Sequence, residues 1–335
     1  MTVALPLKRA VAWGLLRSGV LRFHRSRFQR KRGILLLYHR VNGGLDPFFP
    51  GLSRSVFAAQ LEYVATHYRV EPLEDLVSWL AEGAEGPPRA AITIDDGYPD
   101  TLEVVLPELA RRGLPATLFL ATGPLETGAP LWTDRTRWVI KHARAAVLEM
   151  PSLGFSQQPL LEPASRLALV GPLLRRLKAL GSVEVDRAVD ALAAALEPVG
   201  PPLAQLSWED VRRMGRGPIR LGAHTHRHYM LSRLDDWTQE DEITRSVRLV
   251  EERVGTRVRT FAYPNGEPAD YDARAIAVLR RLGLACAVTC RHGLATPDHD
   301  PFQLPRLYTS EPSLALFAAR VAGLGRDEAR EVVVS

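Results

Sequence analysis

Short apolar runs alternate with amphipathic stretches along most of the chain. Gly33-Ile-Leu-Leu-Leu-Tyr38 has almost nothing polar to turn toward water, so it predicts a short strand buried on both faces. Phe57, Leu61, Val64 and Tyr68 then recur at helical spacing. Ala90–Ile94 predicts a second buried strand, Thr101–Arg112 a helix closed by Gly113, and Ala116–Ala121 a third strand. Strands alternating with helices point to an α/β fold built on a parallel sheet or barrel.

That rhythm breaks between about residues 124 and 205. There Asp134–Met150, Ala164–Leu180 and Val183–Leu196 predict helices with proline and glycine joints, so the stretch reads as a helical insertion on a loop of the main domain. It contains no motif that connects to chemistry. Ser207-Trp-Glu-Asp210 resembles a helix N-cap followed by acidic first-turn residues. The alternation then resumes: Ile219–Ala223 and Val258–Tyr263 as strands, Gln239–Val254 and Asp270–Leu282 as helices, and Leu284–Thr289 as a further strand. No internal repeat or low-complexity tract occurs.

Residues able to do chemistry fall where the predicted strands end. His39 follows the first strand, and Asp95 and Asp96 follow the second. His224 opens the run His224-Thr-His-Arg-His228, and Tyr263-Pro264 closes another strand. In a parallel barrel that face carries the active site. Asp95-Asp96 alone also reads as the N-cap and first-turn acid of the following helix. Two adjacent carboxylates at a buried strand mouth repel, however, unless they share a cation or a proton. Three of the nine histidines lie within five residues. On a helical turn His224 and His228 share a face while His226 points elsewhere, and Gly222 before them permits close backbone approach. One carboxylate plus two imidazoles is a three-ligand set for a divalent cation that keeps positions open for water and substrate. The second carboxylate then stands beside it as a base, which describes a metal-assisted hydrolase.

Composition narrows the partners. With 335 residues and 46% hydrophobic content the chain has ample core. Residues 1–33 hold nine Lys/Arg and no acid, which leaves 34 basic and 38 acidic residues in the rest. No basic stripe with interleaved aromatics appears beyond the arm, which argues against a nucleic-acid partner. We therefore divide the chain into a basic amphipathic arm, 1–33, and one domain, 34–335. Trp13, Leu16, Leu21 and Phe23 among the arm's basic residues suit a helix lying on an anionic membrane; a helix packed on the domain and an export signal are the alternatives. The apolar stretch Ala10–Leu16 is short for a secretory core, so a cytoplasmic location, peripheral to the membrane, is expected, with export left open. Cys286 and Cys290 lie in one predicted strand, roughly 13 Å apart. That is too far for a disulfide and compatible with a reducing compartment.

These segments resemble the signature motifs of the NodB-like polysaccharide deacetylases, carbohydrate esterase family four. Thr93-Ile-Asp95-Asp96-Gly97 resembles the family's first motif, Thr-Phe-Asp-Asp-Gly, and His224-Thr-His-Arg-His228 its second, His-Ser/Thr-x-x-His. Phe261-Ala-Tyr-Pro264-Asn-Gly266 resembles the third motif in the Phe-Ala-Tyr-Pro-x-Gly form of one branch, and Tyr38-His-Arg-Val41 looks like that branch too. The resemblance spans residues 34 to about 310, without the insertion. It implies a distorted (β/α) barrel that removes N-acetyl groups from amino sugars of a polysaccharide or lipid-linked glycan, with one divalent ion, commonly zinc. By motif position Asp95 would be the general base and Asp96, His224 and His228 the metal ligands. The backbone N–H of Asn265 would hold the oxyanion, with Tyr263 and Pro264 shaping the site. Two features depart from the family pattern. Ala262 stands where the commoner third motif has an arginine that orients the catalytic aspartate, and Arg306 could replace it from another loop or form a structural salt bridge. The histidine that protonates the leaving amine has no secure counterpart. His292 is the candidate, His299 a weaker one, and His39 lines the site or supports it. Two other readings stay open: a deformylase or other non-peptide amide hydrolase on a membrane-carried glycan precursor, and a catalytically weak glycan-binding domain.

Overall fold

The computed structural model describes residues 5–21 and 31–324. Its strands are β1 (Gly33–Tyr38), β2 (Arg69–Val70), β3 (Arg89–Ile94), β4 (Ala116–Leu120), β5 (Val147–Met150), β6 (Phe155–Pro159), β7 (Ile219–Ala223), β8 (Thr260–Ala262), β9 (Cys286–His292) and β10 (Leu304–Tyr308). Seven of them, in the order β1-β3-β4-β7-β8-β9-β10, pair in parallel, and β10 returns to β1 to close a barrel. The short β2 pairs only with the first residues of β3. Helices cover the outside, and the strands are buried on both faces, which explains their continuous apolar runs.

Interior-facing Leu35, Ala91, Phe119, Ala262, Val288 and Leu304 join Leu73, Leu76, Trp79 and Leu80 of the helix Leu73–Ala81 in one cluster. Leu76 crowds Gly33, the first residue of β1, so this helix plugs the end of the barrel away from the chemistry. Gly222 serves neighbouring side chains rather than the metal-facing backbone. A Cβ there would lie 2.5 Å from the Phe119 ring and 2.8 Å from Thr260 Oγ1.

The expected strand–helix alternation is present, with three differences. The stretch Leu304–Tyr308 is the closing strand and not a loop. The insertion is not purely helical, because the helix expected to reach Met150 stops at Lys141 and β5 and β6 form an antiparallel hairpin. The alanine-rich Ala143–Ala146 favours helix intrinsically, but Arg144 and Ala145 give their N–H groups to the Leu196 carbonyl, so tertiary pairing overrides propensity. The third difference concerns the arm. Its helix Leu5–Arg17 packs against the helix Leu314–Val321, with Leu21 buried and Leu16 half-buried against the core. Two side chains expected to face lipid thus face the domain. Trp13 stays 47% exposed, and Phe23 lies outside the described residues. No helix among the described residues is long and apolar enough to cross a membrane.

The helix Leu106–Arg112, on the chain leaving β3, is tied to the helix Arg54–His67 through Glu108. Its buried carboxylate accepts from Arg54 Nε at 2.8 Å, Arg112 Nη1 at 2.5 Å and Arg111. Burial alone would raise its pKa, but the three arginines outweigh burial and hold it down to about 2. A folded-state value below the unfolded one, about 4.3, adds stability above the latter that is lost as pH falls toward the former. Glu108→Gln is therefore expected to be less stable than the wild type near neutral pH, with the gap narrowing as pH falls from about 5 to about 2. Chemical denaturation across that range checks this, and a gap independent of pH would contradict it.

Candidate metal centre

The three expected ligands converge at the C-terminal mouth of the barrel. Asp96 Oδ1 lies 3.4 Å from His224 Nε2 and 3.3 Å from His228 Nε2. The three ligating atoms fall within 4.8 Å of one another, and all three residues are buried. Both Asp96 oxygens are buried with no hydrogen-bond partner among the described residues. A buried carboxylate in that state is costly unless a cation compensates it. His224 Nδ1 stands 2.7 Å from the Ala262 carbonyl, which fixes its N–H there and leaves the Nε2 lone pair facing Asp96.

The electrostatics agree. Burial would lower His224, but Asp96 and Asp95 outweigh it and raise its pKa, while Asp96 is pulled far below the carboxylate range by His224 and His228 against the effect of burial. The field that draws a proton between these groups draws a divalent cation as well. His228 is pushed down to about 3, chiefly by burial, so it stays neutral and able to ligate. The donor set therefore fits one divalent ion.

The histidine run is not the helical turn that the i,i+4 spacing suggested. It is a loop in which Thr225 (φ 63°) and His228 (φ 62°) are left-handed, and that backbone brings the two rings to one point. Asp96 (φ 74°) and Asn265 (φ 60°) share this uncommon conformation. Strain of this kind persists only where neighbours over-determine it. Here Trp132 Nε1 donates to the His228 carbonyl at 3.0 Å, and Glu242 takes the Arg227 N–H at 2.7 Å. His226 turns away to Thr122 Oγ1 at 2.9 Å, as expected.

Asp95 is outside the ligand group. Arg306 Nη1 and Nη2 donate to its two oxygens, each at 2.7 Å, while Arg306 Nε donates to the Thr289 carbonyl at 2.8 Å. Burial would raise Asp95, but the guanidinium outweighs it and holds the carboxyl below its ordinary value. Arg306 thus reaches Asp95 from β10, fully buried in the barrel.

The remaining candidates divide. His39 Nε2 is 4.0 Å from Asp95 Oδ2. His292, at the end of β9, stacks its ring on Tyr308, and His299 accepts from the Thr296 N–H within its own turn. Tyr263 does not line the mouth: its hydroxyl donates to the Phe302 carbonyl at 2.9 Å and its ring stacks on Tyr271. Pro264 is buried beneath the loop, and the Asn265 side chain accepts from Lys178 Nζ at 2.5 Å.

Sequence reasoning missed the insertion's share of the site. A cavity beside Asp95 shares His39 and is walled by Arg40, Phe49, Tyr98, Asp134 and Arg137. Arg40 Nη2 donates to Asp134 Oδ2 at 2.7 Å, with its guanidinium 3.3 Å from the centre of the Tyr98 ring. Asp134, Arg137 and Lys178 all come from the insertion. At helical spacing they look like solvated charges, and the one signal was Arg40, which directly follows His39.

A family model described as polysaccharide deacetylase matches residues 82–287. No curated protein matches the chain. Among solved structures, the Streptococcus pyogenes deacetylase PplD in complex with acetate is similar over 86% of this chain and 97% of its own, at 16% identity and a TM-score of 0.57. IcaB from Ammonifex degensii matches over 87% and 97%, at 20% identity and a TM-score of 0.54. The BpsB deacetylase domain from Bordetella bronchiseptica matches over 83% and 96%, at 16% and 0.53. At these identities the structural likeness establishes the barrel fold.

If Asp96, His224 and His228 hold the ion, His224→Ala should lose most of the metal bound by the wild type, because one of three protein ligands is gone. His226→Ala should keep it. Elemental analysis after dialysis against zinc reads both, and full occupancy in His224→Ala would contradict the ligand set.

Proposed function

We propose a function from the premise that this chain belongs to the polysaccharide deacetylase family, hydrolases acting on carbon–nitrogen bonds other than peptide bonds. It removes N-acetyl groups from amino sugars of a polysaccharide or a lipid-linked glycan, with one divalent ion, zinc, held by Asp96, His224 and His228. The observation that carries this reading is the buried Asp-His-His group, whose carboxylate has no hydrogen-bond donor, set beside a second carboxylate reserved by Arg306. PplD, one of the similar structures, holds acetate, the product this reading expects.

A bound zinc ion would lower the pKa of a water toward ~7 and polarise the amide carbonyl. Asp95 takes the proton of the attacking water. Each of its oxygens accepts one hydrogen bond from Arg306 and keeps a lone pair for that proton. By motif position the Asn265 N–H would hold the oxyanion, on a backbone that is left-handed at that residue. The carbon–nitrogen bond then breaks and acetate leaves. Burial lowers the pKa of His39, so its neutral imidazole passes to the amine nitrogen the proton that Asp95 took from the water, across the 4.0 Å between Asp95 Oδ2 and His39 Nε2. His39 fits this step better than His292 because it stands beside Asp95 in the cavity wall.

Ala262 had suggested a decayed, glycan-binding domain. The bidentate Arg306 supplies the missing guanidinium and removes that motive. A deformylase would use the same residues, so the acid released separates the two.

Zinc-loaded protein should release acetate from N-acetylglucosamine oligomers, and metal-loaded protein that releases none from any acetylated amino sugar would end this reading. Formate release from N-formylated sugars alone would favour the deformylase. His39→Ala should lower kcat by about 10²–10⁴ while His292→Ala stays within a few-fold; the reverse order would return the acid role to His292.

A further inference from the structure

The insertion helix Pro163–Lys178 ends over the barrel mouth, and its last side chain reaches into it. Lys178 Nζ donates to Asn265 Oδ1 at 2.5 Å, in the loop that follows β8. The Asn265 amide group is itself tied to Asp270. Lys178 is close enough to the ligand group for its charge to act on His228 and for Asp96 to act on it. Among the described residues it forms no ion pair, and its acceptor is a neutral amide oxygen. An ammonium has three donors, so two remain for a ligand.

The last turn of a helix favours a cation in any case. Arg175 and Arg176 of the same turn satisfy that rule from exposed positions, whereas Lys178 is half-buried and turned toward the site. Burial pushes its pKa down to about 8. Asp270 is the acid that acts most strongly on it, but that carboxylate is engaged by the Asn265 amide and the Glu267 N–H and forms no ion pair with Lys178. Arg40 is matched by Asp134 and Arg306 by Asp95, while Arg137 places a positive charge near Lys178. A divalent ion on Asp96 would add positive charge on that side. A neutral acetamido sugar gives such a lysine nothing to compensate, but an anionic group does.

We propose that Lys178 is a specificity-determining residue that binds an anionic group of the substrate, phosphate or carboxylate, adjacent to the N-acetylated sugar. This rests on the deacetylase reading and sharpens it. The phosphate would come from a lipid- or nucleotide-linked sugar, the carboxylate from a neighbouring uronic acid in a polymer.

The test compares acetate release by zinc-loaded full chain from three probes: a neutral N-acetylglucosamine tetramer, uridine-diphosphate N-acetylglucosamine and a hyaluronan tetrasaccharide. One anionic probe should exceed the neutral one in kcat/KM by about tenfold, the worth of one charge-assisted hydrogen bond, and the one preferred identifies the source. Lys178→Gln should collapse that ratio mainly through KM, at unchanged metal content, and Lys178→Arg should retain most of it. Added salt should shrink the wild-type ratio. A ratio unaltered in Lys178→Gln overturns the proposal. So does an equal loss of kcat on all three probes, which would mean that Lys178 only positions Asn265. Acetate from the neutral probe with no anionic preference sinks this inference and leaves the deacetylase standing; no acetate from any probe removes both.

Discussion

The site depends on one buried ion pair, Arg306 with Asp95. Asp95 and Asp96 are adjacent, alike in chemistry and buried, so both cannot be ionised there without compensation. Arg306, fully buried on the closing strand, divides their fates. It binds both oxygens of Asp95, while its remaining donors engage the Thr289 carbonyl, Thr93 Oγ1 and Cys290 Sγ. Asp96 receives no hydrogen-bond donor of that kind. In the proposed mechanism these surroundings give identical side chains different work, one as base and one as ligand. Removing either member of a buried pair of this kind costs about 3–5 kcal/mol, so the pair also ties β10 to β3 across the barrel interior.

Backbone strain is concentrated where that division is used. Asp96, Thr225, His228 and Asn265 are all left-handed, and each lies in a segment leaving a strand at the same end of the barrel. Bonds from several elements hold them there: Trp132 from the insertion, Glu242 from the helix Asp236–Val254, and Lys178 on Asn265. The insertion is thus part of the site and more than an ornament on a loop. It braces the histidine loop from below, contributes Asp134 and Arg137 to the cavity wall, and brings Lys178 over the mouth.

Much of this was legible in the sequence, for identifiable reasons. β1 and β7 are apolar at every position but one or two and end directly before His39 and His224, so both the strands and the catalytic face could be read from burial pattern alone. The convergence of Asp96, His224 and His228 and the separate direction of His226 followed from chemistry and spacing. Other features were hidden. Leu304–Tyr308 read as a loop, and its Pro305 gives no N–H to a sheet; only in the closed barrel is the segment seen as a strand and Arg306 as an interior residue. The spacing of His224 and His228 suggested a helix, whereas two left-handed residues produce the same convergence from a loop. Lys178 and Asp134 sit where helices ordinarily present solvated charge, and only tertiary packing reveals that they turn inward.

The division of labour between the adjacent acids is tested most directly by measuring metal content and acetate release side by side in Asp95→Asn and Asp96→Asn. The account predicts that Asp95→Asn keeps close to the wild-type metal content and loses about 10²–10⁴ of its turnover, whereas Asp96→Asn fails to retain the ion. Asp95→Asn without metal, or Asp96→Asn fully loaded, would contradict it.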